Sequence, residues 1–337
     1  MIWLTWRQYR TPALSTGGLL LLFLLALAAT WTRITDLARS TGLTGCSGTA
    51  CDRAATTFLQ ELDTGPVGPV YVTVAVALLL LPALFGTFWG APLVARELET
   101  GTYRLIFSQT VSRGRWLLVK LLVGGASAAF GAGLVALLLT RWAAPIDTAR
   151  GDRISPLTFA VHGVVPIGYA ALAFVIGVTA GLLLRRIVPA MAVTLLLVAA
   201  VQVAMPLLVR PVLATSVTSI TALDAAHPSR MSFDTGSGAV HVTGPAAMPN
   251  AWILENTTIT ADGAEFAGPA PSDVCGPESG GPEKCQEWLA AQNLRQKVVS
   301  VPGAQFWALQ WRELGLLLAA AVALALCCLW RIRRKLA

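Results

Sequence analysis

The chain has no Gly-x-x-x-x-Gly-Lys-Ser/Thr phosphate loop, no His-Glu-x-x-His, no Gly-x-Ser-x-Gly and no Gly-x-Gly-x-x-Gly set. The absences exclude the commonest sequence routes to nucleotide binding, zinc proteolysis, serine hydrolysis and dinucleotide binding. Charge is scarce as well. Asp, Glu, Lys and Arg make up 13% of the 337 residues, about half the share of an ordinary globular domain. Charge is scarcest in the long apolar runs, where His162 and Lys120 are the notable ionisable groups. Carriers driven by protons or sodium usually keep acids or histidines at membrane depth. A lone His reads as a packing residue, and Lys120, near a span end, can snorkel to the surface. No catalytic residue and no metal site are expected, and any energy input has to come from a partner.

What is abundant is hydrophobicity: 55% of the residues are apolar, gathered in blocks. Six runs approach or exceed the roughly 20 residues that cross a bilayer: about 14–31, 70–93, 116–140, 158–184, 187–209 and 313–330. The fold class predicted is an all-α polytopic membrane protein. Six transmembrane helices carry an N-terminal interfacial helix and a mixed α/β extracytoplasmic insertion between spans 5 and 6. Residues 1–13 form the interfacial helix, because Trp3, Trp6 and Tyr9 share a face and alternate with Arg7 and Arg10. Residues 14–209 hold spans 1–5, residues 210–312 the polar insertion, and residues 313–337 span 6 with a basic tail. Pro82 and Pro206 predict kinks in spans 2 and 5. Gly124, Gly125, Gly131 and Gly133 predict close helix approach in span 3. Val240–Thr243 and Thr257–Thr260 read as strands, and Glu287–Val299 reads as a helix. No cleavable signal peptide is expected, since the first run lacks a small-residue cleavage site.

Orientation follows from charge. Both termini, the 94–116 linker with Lys120, and Arg185-Arg186 lie on one face. That face holds 13 of the 25 Lys and Arg but 2 of the 18 Asp and Glu. The positive-inside rule places it in the cytoplasm of a plasma-membrane protein. The net charge of +7 flanks the spans, so no nucleic-acid partner is implied. Cys46, Cys51, Cys275 and Cys285 all fall on the opposite, oxidising face. Cys46–Cys51 and Cys275–Cys285 are the simplest disulfides, though spacing alone leaves other pairings open. No His stands at zinc-ligand spacing from these cysteines. Cys327 and Cys328 read as packing residues inside span 6.

The 94–116 linker is the most distinctive stretch. Two acids and four arginines sit between two spanning helices, a placement suited to passing force between a soluble partner and the membrane. Gly101 reads as a left-handed stop ending a short helix before Thr102. Glu97 and Glu99 also read simply as a solvated helix face. The run Phe88-Trp89-Gly90-Ala91-Pro92-Leu93-Val94-Ala95-Arg96-Glu97-Leu98-Glu99-Thr100-Gly101-Thr102, with Ser112-Arg113-Gly114-Arg115-Trp116 and Lys120, carries a likeness. It is similar to the Glu-x-x-x-Gly-Thr…Ser-Arg…Trp…Lys pattern of actinobacterial-type permeases. With the six-span layout, the chain resembles the permease subunits of ABC-2 type ATP-binding cassette transporters, which share the exporter architecture of the G-subfamily.

The resemblance implies that Arg96, Glu97, Glu99, Gly101, Thr102, Tyr103 and Arg104, within a segment from Arg96 to Phe107, couple to an ATPase subunit. That partner binds ATP and Mg, and this chain needs no cofactor of its own. It further implies pairing of two permease copies and export of a hydrophobic or amphiphilic compound. Kinked spans 2 and 5 would open the path, with Thr73, Thr87, Thr194 and Gln202 as its polar contacts. The rivals are a membrane-anchored sensor or binding protein working through residues 210–312, and an integral membrane enzyme. The first would put the function outside the bilayer. The second needs a cluster of ionisable residues at one depth.

Overall fold

The computed structural model describes residues 2–102, 112–234, 237–245, 248, 250–276 and 282–335, with backbone only for 2–13, 15, 49 and 335. It divides into a helical unit, Met1–Leu213 with Phe306–Ala337, and a second unit, Ala214–Gln305.

Six helical stretches of the described residues are long and apolar enough to cross a membrane: Thr16–Ser40, Val67–Glu99, Arg113–Trp142, Val165–Leu184, Ile187–Leu213 and Gly303–Arg334. Helix α1 is unbroken over Ile2–Ser40. The expected interfacial segment 1–13 therefore continues without a break into the first span, through Pro12. Helix α2, Thr49–Thr64, follows. The second span is composite. Helix α3, Val67–Leu84, passes through Pro82 into a π-helical stretch, Phe85–Gly90, and resumes as α4, Ala91–Glu99. Pro82 has no N–H to donate, and the ladder widens just beyond it. The fifth span repeats the device: α9, Ile187–Ala204, gives way to a π-helical stretch, Met205–Val209, that contains Pro206, and ends in α10, Arg210–Leu213. Such π turns are rare, costly and frequent at functional sites.

The third span is α5, Arg113–Trp142. The short helices α6, Ala144–Arg150, and α7, Pro156–Val161, lead to α8, Val165–Leu184, the fourth span. The apolar run from 158 is thus interrupted at 162–164, because Gly163 takes a left-handed φ of 68°. The sixth span is α13, Phe306–Lys335.

Helix α8 is the centre of this unit. It packs against α3, the π stretch, α4, α5, α9 and α13. Of its apolar window 72% is buried, against 11% for the first span and 17% for the fifth. Small residues make the approach possible. A Cβ on Gly181 would stand 2.6 Å from the Ala91 carbonyl oxygen, and one on Gly177 would overlap the Gly86 carbonyl. The span 3 glycines behave differently: Gly131 and Gly133 make room for the side chains of Leu20 and Ile167 rather than for a backbone.

The second unit contains a three-stranded antiparallel sheet of order β1-β5-β4, with β1 Val217–Ala222, β4 Ala251–Ile259 and β5 Arg295–Pro302. A hairpin pairs β2, Arg230–Phe233, with β3, Val240–Thr243. Among the described residues, helices α11, Ser272–Cys275, and α12, Pro282–Ala291, complete it. Ala225, Val240, Val242, Ala270, Cys285, Leu289 and Leu294 form its core. The helix expected over Glu287–Val299 is corrected. Helix α12 ends at Ala291, Asn293 turns left-handed with φ 54°, and Arg295–Pro302 is the central strand. Its alternation, with Gln296, Val298 and Ser300 buried, fits a pleated element better than a helix face. Disulfides join Cys46 to Cys51 and Cys275 to Cys285, which settles the pairing that spacing left open.

Candidate functional site

The linker begins on α4, the last helix of the second span. Val94, Ala95 and Glu97 face inward, while Arg96 and Glu99 are exposed. Ala91 and Ala95 meet Ala180 of α8 and Ala190 of α9, and Ile187 and Met191 pack beside them. That contact of small residues wedges α4 between two spans.

Charge then fastens it. Lys120 Nζ of α5 donates to Glu97 Oε1 at 2.6 Å and to the Leu93 carbonyl at 3.2 Å. The same nitrogen lies 4.4 Å from the centroid of the Trp116 ring. Glu97 and Lys120 are only 6% and 2% exposed, so Lys120 does not snorkel outward. Glu99 makes a second tie: its Oε2 accepts from the backbone N–H of Ile187 at 3.0 Å. That N–H is the first of α9, where a carboxylate also meets the positive end of the helix dipole. Arg185, left-handed with φ 57°, forms the tight turn between α8 and α9.

Helix α4 stops at Thr100, whose hydroxyl donates to the Arg96 carbonyl at 2.8 Å. Gly101 follows with φ 73°. The Thr102 hydroxyl donates back to the Glu97 carbonyl at 3.5 Å. Tyr103, Arg104 and the rest of the segment to Phe107 lie outside the described residues. Within 96–102, Arg96, Glu99, Thr100 and Thr102 keep an exposed face.

Of the four polar residues assigned to a pathway, three lie between the second and fifth spans or beside them. Thr194 is buried on α9 with its methyl close to Gly86, and Thr87 is buried in the adjoining π turn. Gln202 Nε2 donates to the Leu79 carbonyl at 2.6 Å, bridging α9 to α3. Thr73 is exposed and apart.

A polar cluster that sequence reasoning missed sits at the other end of α8. Arg210 Nε and Nη2 donate to Glu313 Oε2 and Oε1 at 2.8 and 3.1 Å, and both side chains are fully buried. Tyr169 Oη donates to Glu313 Oε1 at 2.9 Å, and Arg210 Nη1 to the Pro156 carbonyl at 3.0 Å. Gln310 Oε1 accepts from the N–H groups of Val164 and Val165, both at 2.9 Å, closing the open start of α8. Spans 4, 5 and 6 are thereby stapled together. The available signal was a cation at the end of one apolar run and an anion at the start of the next. Nearby, buried His162 holds Nδ1 against the Thr158 carbonyl at 2.7 Å and Nε2 3.6 Å from Asp147. Burial pushes the Asp147 carboxyl up, against the opposing pull of His162, Arg153 and Arg150.

The family model described as ABC-2 membrane transporter related matches residues 17–210, more than half of the chain. The chain belongs to the ABC-2 membrane transporter related family. The match covers nearly all of the first five spans, the Glu97–Lys120 clamp and Glu99, and ends on Arg210. An ABC-2 permease is a component of membrane transport, which is the setting in which the six apolar helices and the clamped linker are to be read. No curated protein and no solved structure matches the chain.

Proposed function

We propose that this ABC-2 family member is the membrane-spanning permease subunit of an actinobacterial-type, G-subfamily-like exporter in the plasma membrane. ATP, with Mg, is hydrolysed by a separate ATPase subunit, and the cargo is a hydrophobic or amphiphilic compound such as a drug, antibiotic or lipid. Two copies pair. Both termini and the linker face the cytoplasm, and the Ala214–Gln305 unit, which makes up most of the 210–312 insertion, lies outside. The observation that carries this reading is the clamp on α4. Helix α4, which ends span 2 and begins the linker, is tied through Glu97 to span 3, through Glu99 to the start of span 5, and through Ala91 and Ala95 to span 4. A push on the exposed face of Arg96, Thr100 and Thr102 therefore moves three spans together. The π stretches beside Pro82 and Pro206 supply compliance in the two spans that Gln202 bridges. Thr87 and Thr194 become available to cargo as that interface opens, and the apolar surroundings favour a greasy solute.

The test is reconstitution with the ATPase that co-purifies with the chain. Replacing Glu97 and Glu99 together by Ala should uncouple the pair, leaving nucleotide hydrolysis without cargo movement. Unaltered transport in that variant sinks the coupling assignment. So does solute movement by the purified chain with no nucleotide-hydrolysing subunit present.

A further inference from the structure

The three-stranded sheet of the second unit has two edges, and they are finished differently. Edge strand β4 is guarded. It is bulged between Ile253 and Glu255, and Glu255 accepts a salt bridge from Lys297 at 3.0 Å. The Thr258 carbonyl accepts the N–H of Phe266 at 2.9 Å, and Ile259 bridges to Glu265, so the chain folds back along that edge. No residue of β4 is exposed.

Strand β1 has none of these devices. Val217-Thr218-Ser219-Ile220-Thr221-Ala222 holds no charge, no Pro and no Gly, and its register with β5 runs unbroken. Five of its six residues are exposed. Val217 and Ile220, on opposite faces, stand at 50% and 55%. Leu223, just beyond the strand, donates its N–H to the Leu294 carbonyl at 3.0 Å. Hydrogen-bonded and non-bonded pairs alternate along an antiparallel ladder, so Thr218, Ile220 and Ala222 turn their N–H and C=O groups away from β5. Among the described residues, no strand lies on that side.

A bare edge recruits another strand, which is why edges are ordinarily guarded by charge, Pro or bulges. The sequence of β1 says which strand suits it. With no charge along its length, β1 can lie against a copy of itself without setting like charges opposite each other. Antiparallel self-pairing also has two-fold symmetry, so it consumes both edges and stops at two chains. Residues 214–216 alone separate β1 from the end of the fifth span. Two paired chains therefore bring two copies of this strand on short tethers.

We propose that β1 pairs antiparallel with β1 of a second copy of this chain, about a two-fold axis at Ile220, merging the two sheets. Ile220 faces the second copy's Ile220, and Thr218 faces the second copy's Ala222. The outward N–H and C=O groups of all three residues are then satisfied reciprocally. This deepens the pairing of two permease copies and rests on it.

The test is oxidative cross-linking of the full chain in membranes, with the exposed free Cys327 replaced by Ser. Hydrogen-bonded partners stand about 5.5 Å apart at Cα, within disulfide reach. Ile220→Cys should therefore give a covalent dimer. Val217→Cys is about equally exposed but lies about 20 Å from its own symmetry mate in this register, and should give none. Ile220→Lys sets two like charges opposite each other and should weaken the dimer about fivefold, read by mass photometry in detergent. Equal cross-linking of the two Cys variants overturns the proposal, as does an Ile220→Lys dimer as tight as wild type. A chain that is dimeric by mass yet gives no Ile220→Cys product pairs through other surfaces, so the edge assignment falls and the pairing of copies stands. A monomeric chain removes both. A cross-link from Ile220→Cys to a different polypeptide also overturns the proposal, giving the edge to a foreign strand.

Discussion

The two ends of α8 are held by buried ion pairs of different construction. At its start, Arg210 and Glu313 meet through two parallel hydrogen bonds, and Tyr169, Pro156 and Gln310 satisfy the atoms around them. At its end, Lys120 Nζ donates to Glu97 Oε1 in one short contact and to the Leu93 carbonyl, with the Trp116 ring close to the same nitrogen. The first pair joins residues 103 positions apart, the second residues 23 apart. Arginine's fixed fork suits a permanent joint. The rotatable ammonium of lysine suits a joint that shifts while staying paired. One end of the bundle is thus fastened by a bidentate arginine knot and the other by a lysine tie.

That contrast can be broken experimentally. The largest effect should come from Glu313→Leu, which strands a fully buried guanidinium and should cost about 3–5 kcal/mol, seen as a collapse of the thermal midpoint in detergent. Adding Arg210→Met should restore much of that loss, since an apolar pair replaces two charges. A knot whose double variant is worse than either single one would not be the self-contained unit described here. Lys120→Met should cost less, about 1.5–3 kcal/mol, and should lower cargo movement more than stability when both are measured on one preparation. Gly177→Ala tests the packing between the two joints. Its methyl would overlap the Gly86 carbonyl, and overpacking of that kind should cost about 1–3 kcal/mol.

The smallest effect concerns pH. The Asp147 carboxyl is held above its ordinary value, chiefly by burial. Its neutral form is the one the fold prefers, so its contribution is present in acid and lost as pH rises through the raised value. His162, Arg153 and Arg150 oppose the shift, and Asp152 adds to it. Asp147→Asn should therefore raise the thermal midpoint at neutral pH, and the gain should shrink as the buffer is acidified. A gain independent of pH would assign the effect to packing instead.

The crossings were legible because twenty-residue apolar runs have few alternative readings, and the disulfides because short loops favour near neighbours. Gly101 was legible since a glycine after a helical charge run has one common use. The pairings were not. Arg210 and Glu313 stand at the edges of apolar runs, where flanking charges usually face water, and nothing local records that they meet. Lys120 looked like a snorkelling cation for the same reason. The intimate contact of α8 with α4 was hidden too, because its glycines lie in runs that hydropathy alone explains. The strand over Arg295–Pro302 was masked by Glu287–Ala291, whose helical composition carried the reading too far along the chain.

The staple between Arg210 and Glu313 also bears on how the molecule is made. During synthesis the arginine reaches the bilayer about a hundred residues ahead of its carboxylate, with the whole second unit still to be translated. A nascent chain at that stage carries a cation for which the last crossing has yet to arrive, whereas α8, apolar all round, is at ease among lipids. The joint that staples spans 4, 5 and 6 therefore cannot close until the final helix has been made.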